Sequence, residues 1–169
     1  LSSDRFESIL VTGSLNPGEG SMLDYAQVNG VQPLTIPEMV GEASLRPRDL
    51  KALLKLYRIL RVERPQIVHT HTAKAGFLGR LAARMAGVPV IVHTCPGHGL
   101  NGYYGPAKSW LLRVMERGLA RMTDRLVAVS ELVKQDLIAY RVAPPEKISV
   151  IPLGFDLEPF FDCESLKGE

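Results

Sequence analysis

The sequence predicts an α/β fold, a Rossmann-like parallel sheet flanked by helices. Three observations carry that expectation. Strand-like and helix-like segments alternate along the chain. The strands are continuously apolar rather than alternating (VPVIV, RLVAV, ISVI), the pattern of parallel strands buried on both faces. And all four histidines fall between positions 69 and 98, at the ends of two of these strands, where open α/β sheets bind their ligands.

Taken in order, residues 7–12 read as a strand leading into the turn-rich SLNPGEG. A short helix follows over 21–28, then a strand over 33–36. Residues 47–62 read as a helix: Pro47 sits in the first turn, and Leu50, Leu53, Leu54, Tyr57 and Leu60 form one apolar stripe. Next come a strand over 66–70, a helix over 74–85 and a strand over 88–93. A Gly/Pro-rich loop (CPGHGLNGYYGP) leads to a helix over 107–122, and a strand follows over 125–129. Ser130 is placed to cap a helix running to residue 140, and a last strand covers 147–151. Residues 1–153 read as one domain, and the tail 154–169 loses the pattern and reads as the start of a linker. The chain opens without the Gly-rich strand-turn-helix unit that usually begins a doubly wound domain, so the first strand is expected to be missing.

Composition narrows the function. An apolar share of 46% and a charged share of 22% are those of an ordinary globular protein. Cys95 and Cys163 are the only cysteines and lie far apart, which points away from a disulfide framework and toward a reducing compartment. No apolar run approaches the roughly 18 residues of a membrane span. Neither a dinucleotide fingerprint nor a P-loop occurs. The basic segments are not interleaved with exposed aromatics, which argues against nucleic acid.

Several ordered segments carry a resemblance. PQIVHTHTAKAGFLGRLAARMAGVPVIVHT, GHGLNGYYGPAKSWLLRVMERGLARMTDRLVAVSELVKQDLI and KISVIPLGFDLEPF closely resemble the N-terminal half of family-4 retaining glycosyltransferases of the GT-B fold, of the bacterial polysaccharide and lipopolysaccharide type. The resemblance implies an acceptor-binding domain. Its C-terminal partner domain, which holds the nucleotide-sugar donor, lies outside this sequence, so the chain alone is expected to be inactive and to bind no cofactor. It implies a sugar transferred to a saccharide acceptor, lipid-linked in relatives of this type, in the cytoplasm or at the inner face of the membrane. No metal is expected, in line with the lack of a carboxylate cluster.

The same resemblance nominates site residues. His98 is the candidate catalytic group. Relatives carry a segment like HTFHGH where this chain has HTCPGH, so Cys95 and Pro96 replace a Phe-His pair. His71, Thr72, Lys74, Gly97, Ser130 and Glu131 are the acceptor-side candidates: Lys74 as a point charge, Gly97 for close backbone approach, Ser130 and Glu131 at a helix start that also attracts anions. The segment 46–64 carries Arg46, Arg48, Lys51, Lys55, Arg58, Arg61 and Arg64 against Asp49 and Glu63, a local balance of +5 where the whole chain has +2. That bias suits an anionic membrane surface, with Lys51, Lys55 and Arg58 as contacts and Trp110 as an interfacial anchor. The competing readings are a non-catalytic sugar- or anion-binding module and, behind it, a sugar-nucleotide epimerase of the same two-domain fold.

Overall fold

The computed structural model describes residues 5–15, 20–41, 46–97 and 105–154. The expected tail and His98 lie outside them. Strand and helix alternate throughout: β1 (Val11–Ser14), α1 (Leu23–Val28), β2 (Leu34–Val40), α2 (Pro47–Glu63), β3 (Ile67–Thr70), α3 (Ala73–Ala86), β4 (Val90–Cys95), α4 (Pro106–Arg121), β5 (Arg125–Ala128), α5 (Glu131–Ala139) and β6 (Ile148–Val150). All strand pairs are parallel.

The strands form two sheets rather than one. β1 pairs with β2, and β3-β4-β5-β6 form a four-stranded sheet in sequence order. Among the described residues β1 and β3 each lie at the edge of their sheet. A shared layer of helices nevertheless holds both sheets. Ile36 and Met39 of β2 pack with Ala52 and Leu56 of α2 and with Leu78 and Ala82 of α3 in one core cluster. A second cluster joins Cys95, Leu126, Ala128 and Ile148 to Val133 and Leu137 of α5.

Burial on both faces holds toward the carboxyl ends of β4 and β5, where the opposite-facing neighbours His93 and Thr94, and Leu126 and Val127, are all buried, but not at the start of β3 and β4. Right-handed crossovers along a sheet that grows in one direction set successive helices on the same face. Ile91, His93, Cys95, Leu126 and Ala128 point into that layer and are buried, whereas Ile67 and Val90, partners in the β3–β4 register, are 51% and 36% exposed on the other face. Of the expected α2 stripe, Leu53, Tyr57 and Leu60 pack against the core as expected, but two members do not. The buried residues of α2 are Asp49, Ala52 and Leu56, while Leu50 and Leu54 are exposed. Ala52 meets the small residues of α3, and close helix approach favours a small residue over a leucine there.

Candidate functional site

The carboxyl ends of β3 and β5 lead directly into the turns that precede α3 and α5, with the end of β4 between them in the sheet. His71 follows β3 directly and is exposed, as is Thr72. Thr72 is the N-cap of α3 with φ 62° and ψ 168°, and its side chain makes no capping bond. That backbone region is essentially reserved for glycine and costs a threonine on the order of 1–3 kcal/mol. Across the site, Ser130 caps α5: its Oγ accepts from the Val133 N–H at 3.2 Å. Glu131 is exposed in the first turn of α5.

Two residues nominated from sequence do other work. The Lys74 ammonium is buried, 3.2 Å from each carboxylate oxygen of Asp49, and Asp49 also accepts the Arg46 backbone N–H at 2.7 Å. A buried charge demands a partner, so Lys74 ties α3 to the start of α2 instead of presenting a free charge to a ligand. Gly97 has φ 88°, and the space a side chain would fill there is taken by Val133, whose Cγ2 would lie 2.5 Å from an added Cβ. The glycine lets the chain pass close over α5.

The β3–β4 pair carries two histidine–threonine bonds, one on each face, because neighbouring residues of a strand point to opposite sides. On the face turned away from α3, the exposed His69 places Nε2 2.8 Å from Oγ1 of the buried Thr94, and the His69 and His71 rings sit 4.3 Å apart, tilted by 35°. Burial, and then the neighbouring His71, lower the His69 pKa. On the covered face, His93 Nδ1 lies 2.9 Å from Thr70 Oγ1. Desolvation, reinforced by Arg80, pushes His93 down to about 4, so this ring is neutral at physiological pH.

His93 belongs to a buried polar group that composition and periodicity did not reveal. Its ring packs on α3 where Gly76 has no side chain. Arg80, wholly buried, donates from Nε to the Gly76 carbonyl at 2.8 Å and from both terminal nitrogens to Glu116 at 2.6 and 2.9 Å. Ligand atoms of His93, Cys95 and Glu116 lie within 4.8 Å of one another, a spacing that suits a cation. The charges argue for a different role. Arg80 engages both Glu116 oxygens and neutralises them, and burial lifts the Cys95 thiol to about 12, which keeps it protonated. The group is a neutral imidazole, a neutral thiol and a closed ion pair under the floor of the site. A depression of about 390 Å³ lined by Arg61, Arg64, Gln66, Gly87 and Pro89 lies at the opposite, amino end of the strands.

The basic helix is mixed. Lys51 and Arg58 are exposed. Lys55 instead donates to both oxygens of Glu38 on β2, at 2.7 and 2.8 Å, and this bond lowers the Glu38 pKa. The exposed Leu50 and Leu54 lie among these cations, and Trp110, 62% exposed, shares α4 with the exposed Leu111 and Val114. No helix among the described residues is long and apolar enough to cross a membrane.

Comparison with known proteins agrees with this architecture. The model of the glycosyl transferase 4-like domain matches residues 2–154. The chain is 38% identical over 160 residues to the Escherichia coli UDP-Gal:alpha-D-GlcNAc-diphosphoundecaprenol alpha-1,3-galactosyltransferase, covering 95% of this chain and 40% of that protein. It is 34% identical over 106 residues to the Staphylococcus aureus capsular polysaccharide biosynthesis glycosyltransferase CapM, covering 63% of this chain and 28% of that protein. The chain thus spans about two fifths of the E. coli relative's length or less of each. Among solved structures, Anabaena HepE in complex with UDP and glucose superposes with a TM-score of 0.66 at 12% identity, over 95% of this chain and 50% of that one. A Listeria monocytogenes putative UDP-N-acetylglucosamine 2-epimerase superposes at 0.63 with 20% identity, over 86% and 37%. At these identities the structural matches speak to fold alone, while the family match spans nearly the whole chain: it belongs to the glycosyl transferase 4-like domain family.

Proposed function

We propose that this chain is the acceptor-binding N-terminal domain of a retaining glycosyltransferase. The full enzyme transfers a sugar from a nucleotide-sugar donor to a lipid-linked saccharide in cell-envelope or exopolysaccharide synthesis. The observation that carries the reading is the 38% identity, across 95% of the chain, to an enzyme named for a diphosphoundecaprenol-linked acceptor. In the reaction the acceptor hydroxyl oxygen bonds to the anomeric carbon, the bond to the donor diphosphate breaks with its electron pair leaving on the diphosphate, and the hydroxyl proton passes to a base. Positioning supplies much of the rate in such a transfer. His71, Thr72 and the capped start of α5 at Ser130 and Glu131 border the space where the acceptor saccharide binds, and His98 is assigned the catalytic proton transfer.

The same reading places the domain peripherally on the cytoplasmic face of the membrane. Lys51 and Arg58 are offered to anionic headgroups, with Leu50, Leu54 and Trp110 as apolar contacts. The exposure of Leu50 and Leu54 supports this, since exposed leucines between cations suit an interface better than bulk water.

The test is a ¹H–¹⁵N NMR titration of this chain with α-N-acetylglucosamine 1-phosphate as acceptor mimic and UDP-galactose as donor. The acceptor mimic is expected to shift the amides of His71, Thr72 and Glu131, and the donor to leave them largely unmoved. Shifts confined to the donor titration would overturn the acceptor assignment.

A further inference from the structure

We infer that His69 is a positioning residue for the site: the cross-strand chain Thr94–His69–His71 holds the His71 imidazole in one orientation. The inference rests on the reading of His71 as an acceptor-side group.

The geometry is specific. His69 is the penultimate residue of β3 and points to the exposed sheet face. It does not bond the residue opposite it in register, Val92. It reaches diagonally to Thr94, two residues nearer the carboxyl end, at 2.8 Å. That diagonal draws the ring toward the end of the sheet where the turn into α3 begins. There it meets the His71 ring at 4.3 Å and a tilt of 35°. Residues two apart in an extended segment lie on the same side of the chain, so the two rings share one side of it.

The threonine hydroxyl can donate or accept, so the bond to Nε2 ties the state of the His69 ring to Thr94. With His69 pinned by Thr94, His71 loses the freedom to rotate across the face that His69 occupies. The strained Thr72 adjoins His71, which further limits where the His71 side chain can go. On the opposite sheet face the Thr70–His93 bond serves the core. The same residue pair therefore appears twice, once for packing and once facing outward toward the site.

The experiment compares imidazole ¹⁵N and ¹³C spectra of His71 in this chain and in the variants His69→Ala and Thr94→Val. His69 is exposed, and threonine to valine keeps the shape of a side chain in the sheet, so both variants are expected to fold; amide spectra check this. In the parent, His71 should show one set of ring shifts with restricted rotation. In both variants those shifts should move toward the averaged values of a free ring. His69→Gln, which returns a hydrogen-bonding group to Thr94, should recover part of the parental spectrum. Binding of α-N-acetylglucosamine 1-phosphate should weaken about fivefold in His69→Ala, the scale of one net hydrogen bond. An unchanged His71 ring spectrum in folded His69→Ala and Thr94→Val would overturn the inference. A parental His71 that ignores the saccharide phosphate would instead overturn the acceptor reading, while the ring spectra would still decide the role of His69.

Discussion

Arg80 and Glu116 close a two-pronged ion pair, at 2.6 and 2.9 Å, that fastens α3 to α4 beneath the carboxyl ends of the strands. The guanidinium is wholly buried and its third nitrogen, Nε, donates to the Gly76 carbonyl. Such a pair is expensive to break from one side only. Glu116→Ala strands a buried cation and is expected to cost about 3–5 kcal/mol in urea unfolding. The double change Arg80→Met with Glu116→Leu should cost much less, since no charge is left unpaired. Equal losses in the single and double variants would show that packing, not charge, dominates there.

The neutral His93 gives stability a pH dependence. In the unfolded chain the ring titrates near 6.5, and in the folded chain near 4. Between these values the unfolded state binds the extra proton, so acid favours unfolding. This contribution is full above about pH 6.5 and is lost as the pH falls toward 4, on the order of 3 kcal/mol in all. Unfolding free energies measured across that window should decline, and His93→Gln should flatten the decline. A slope unaffected by His93→Gln would assign the effect to other groups.

Gly76 should invert an ordinary rule. Glycine to alanine inside a helix normally stabilises by about 1 kcal/mol. Here an added Cβ would overlap the His93 ring, and overpacking costs about 1–3 kcal/mol. Gly76→Ala is expected to lower the thermal midpoint of this chain, and a rise would mean that the ring moves aside freely.

Thr72 predicts the opposite sign. Glycine suits φ 62° and ψ 168°, so Thr72→Gly is expected to stabilise by about 1 kcal/mol after the entropy of glycine is subtracted. Thr72→Ala, which keeps a Cβ, should not. If Thr72→Gly is no more stable than Thr72→Ala, the backbone there carries no strain.

Membrane attachment separates cations that the sequence treats alike. In co-sedimentation with phosphatidylcholine–phosphatidylglycerol vesicles, reversing Lys51 and Arg58 to Glu is expected to reduce binding tenfold or more, on a scale of about 1 kcal/mol per basic residue at the surface. Lys55→Gln should matter less, because Glu38 already holds that ammonium. No salt-sensitive binding by the parent chain would overturn the peripheral reading.

The sequence by itself determined the order and type of the elements, the parallel sense of the strands and the family. These depend on local signals: apolar runs, Pro47 at a helix start, Ser130 at a cap, and motif order. It also located the candidate turns after β3 and β5. Only the tertiary structure decided what individual charges do. Lys74 and Lys55 resemble any other lysine in the chain, yet Asp49 and Glu38, 25 and 17 residues away, engage them. The same holds for His69 and Thr94, joined across 25 residues, and for Arg80 and Glu116 across 36. Which residues of α2 turn inward was likewise settled by its packing, where Ala52 and Leu56 share a core cluster with Leu78 and Ala82 of α3. Hydrogen bonds and ion pairs are decided at distances of about 3 Å, and a pattern along one chain does not specify which distant neighbour folding brings that close.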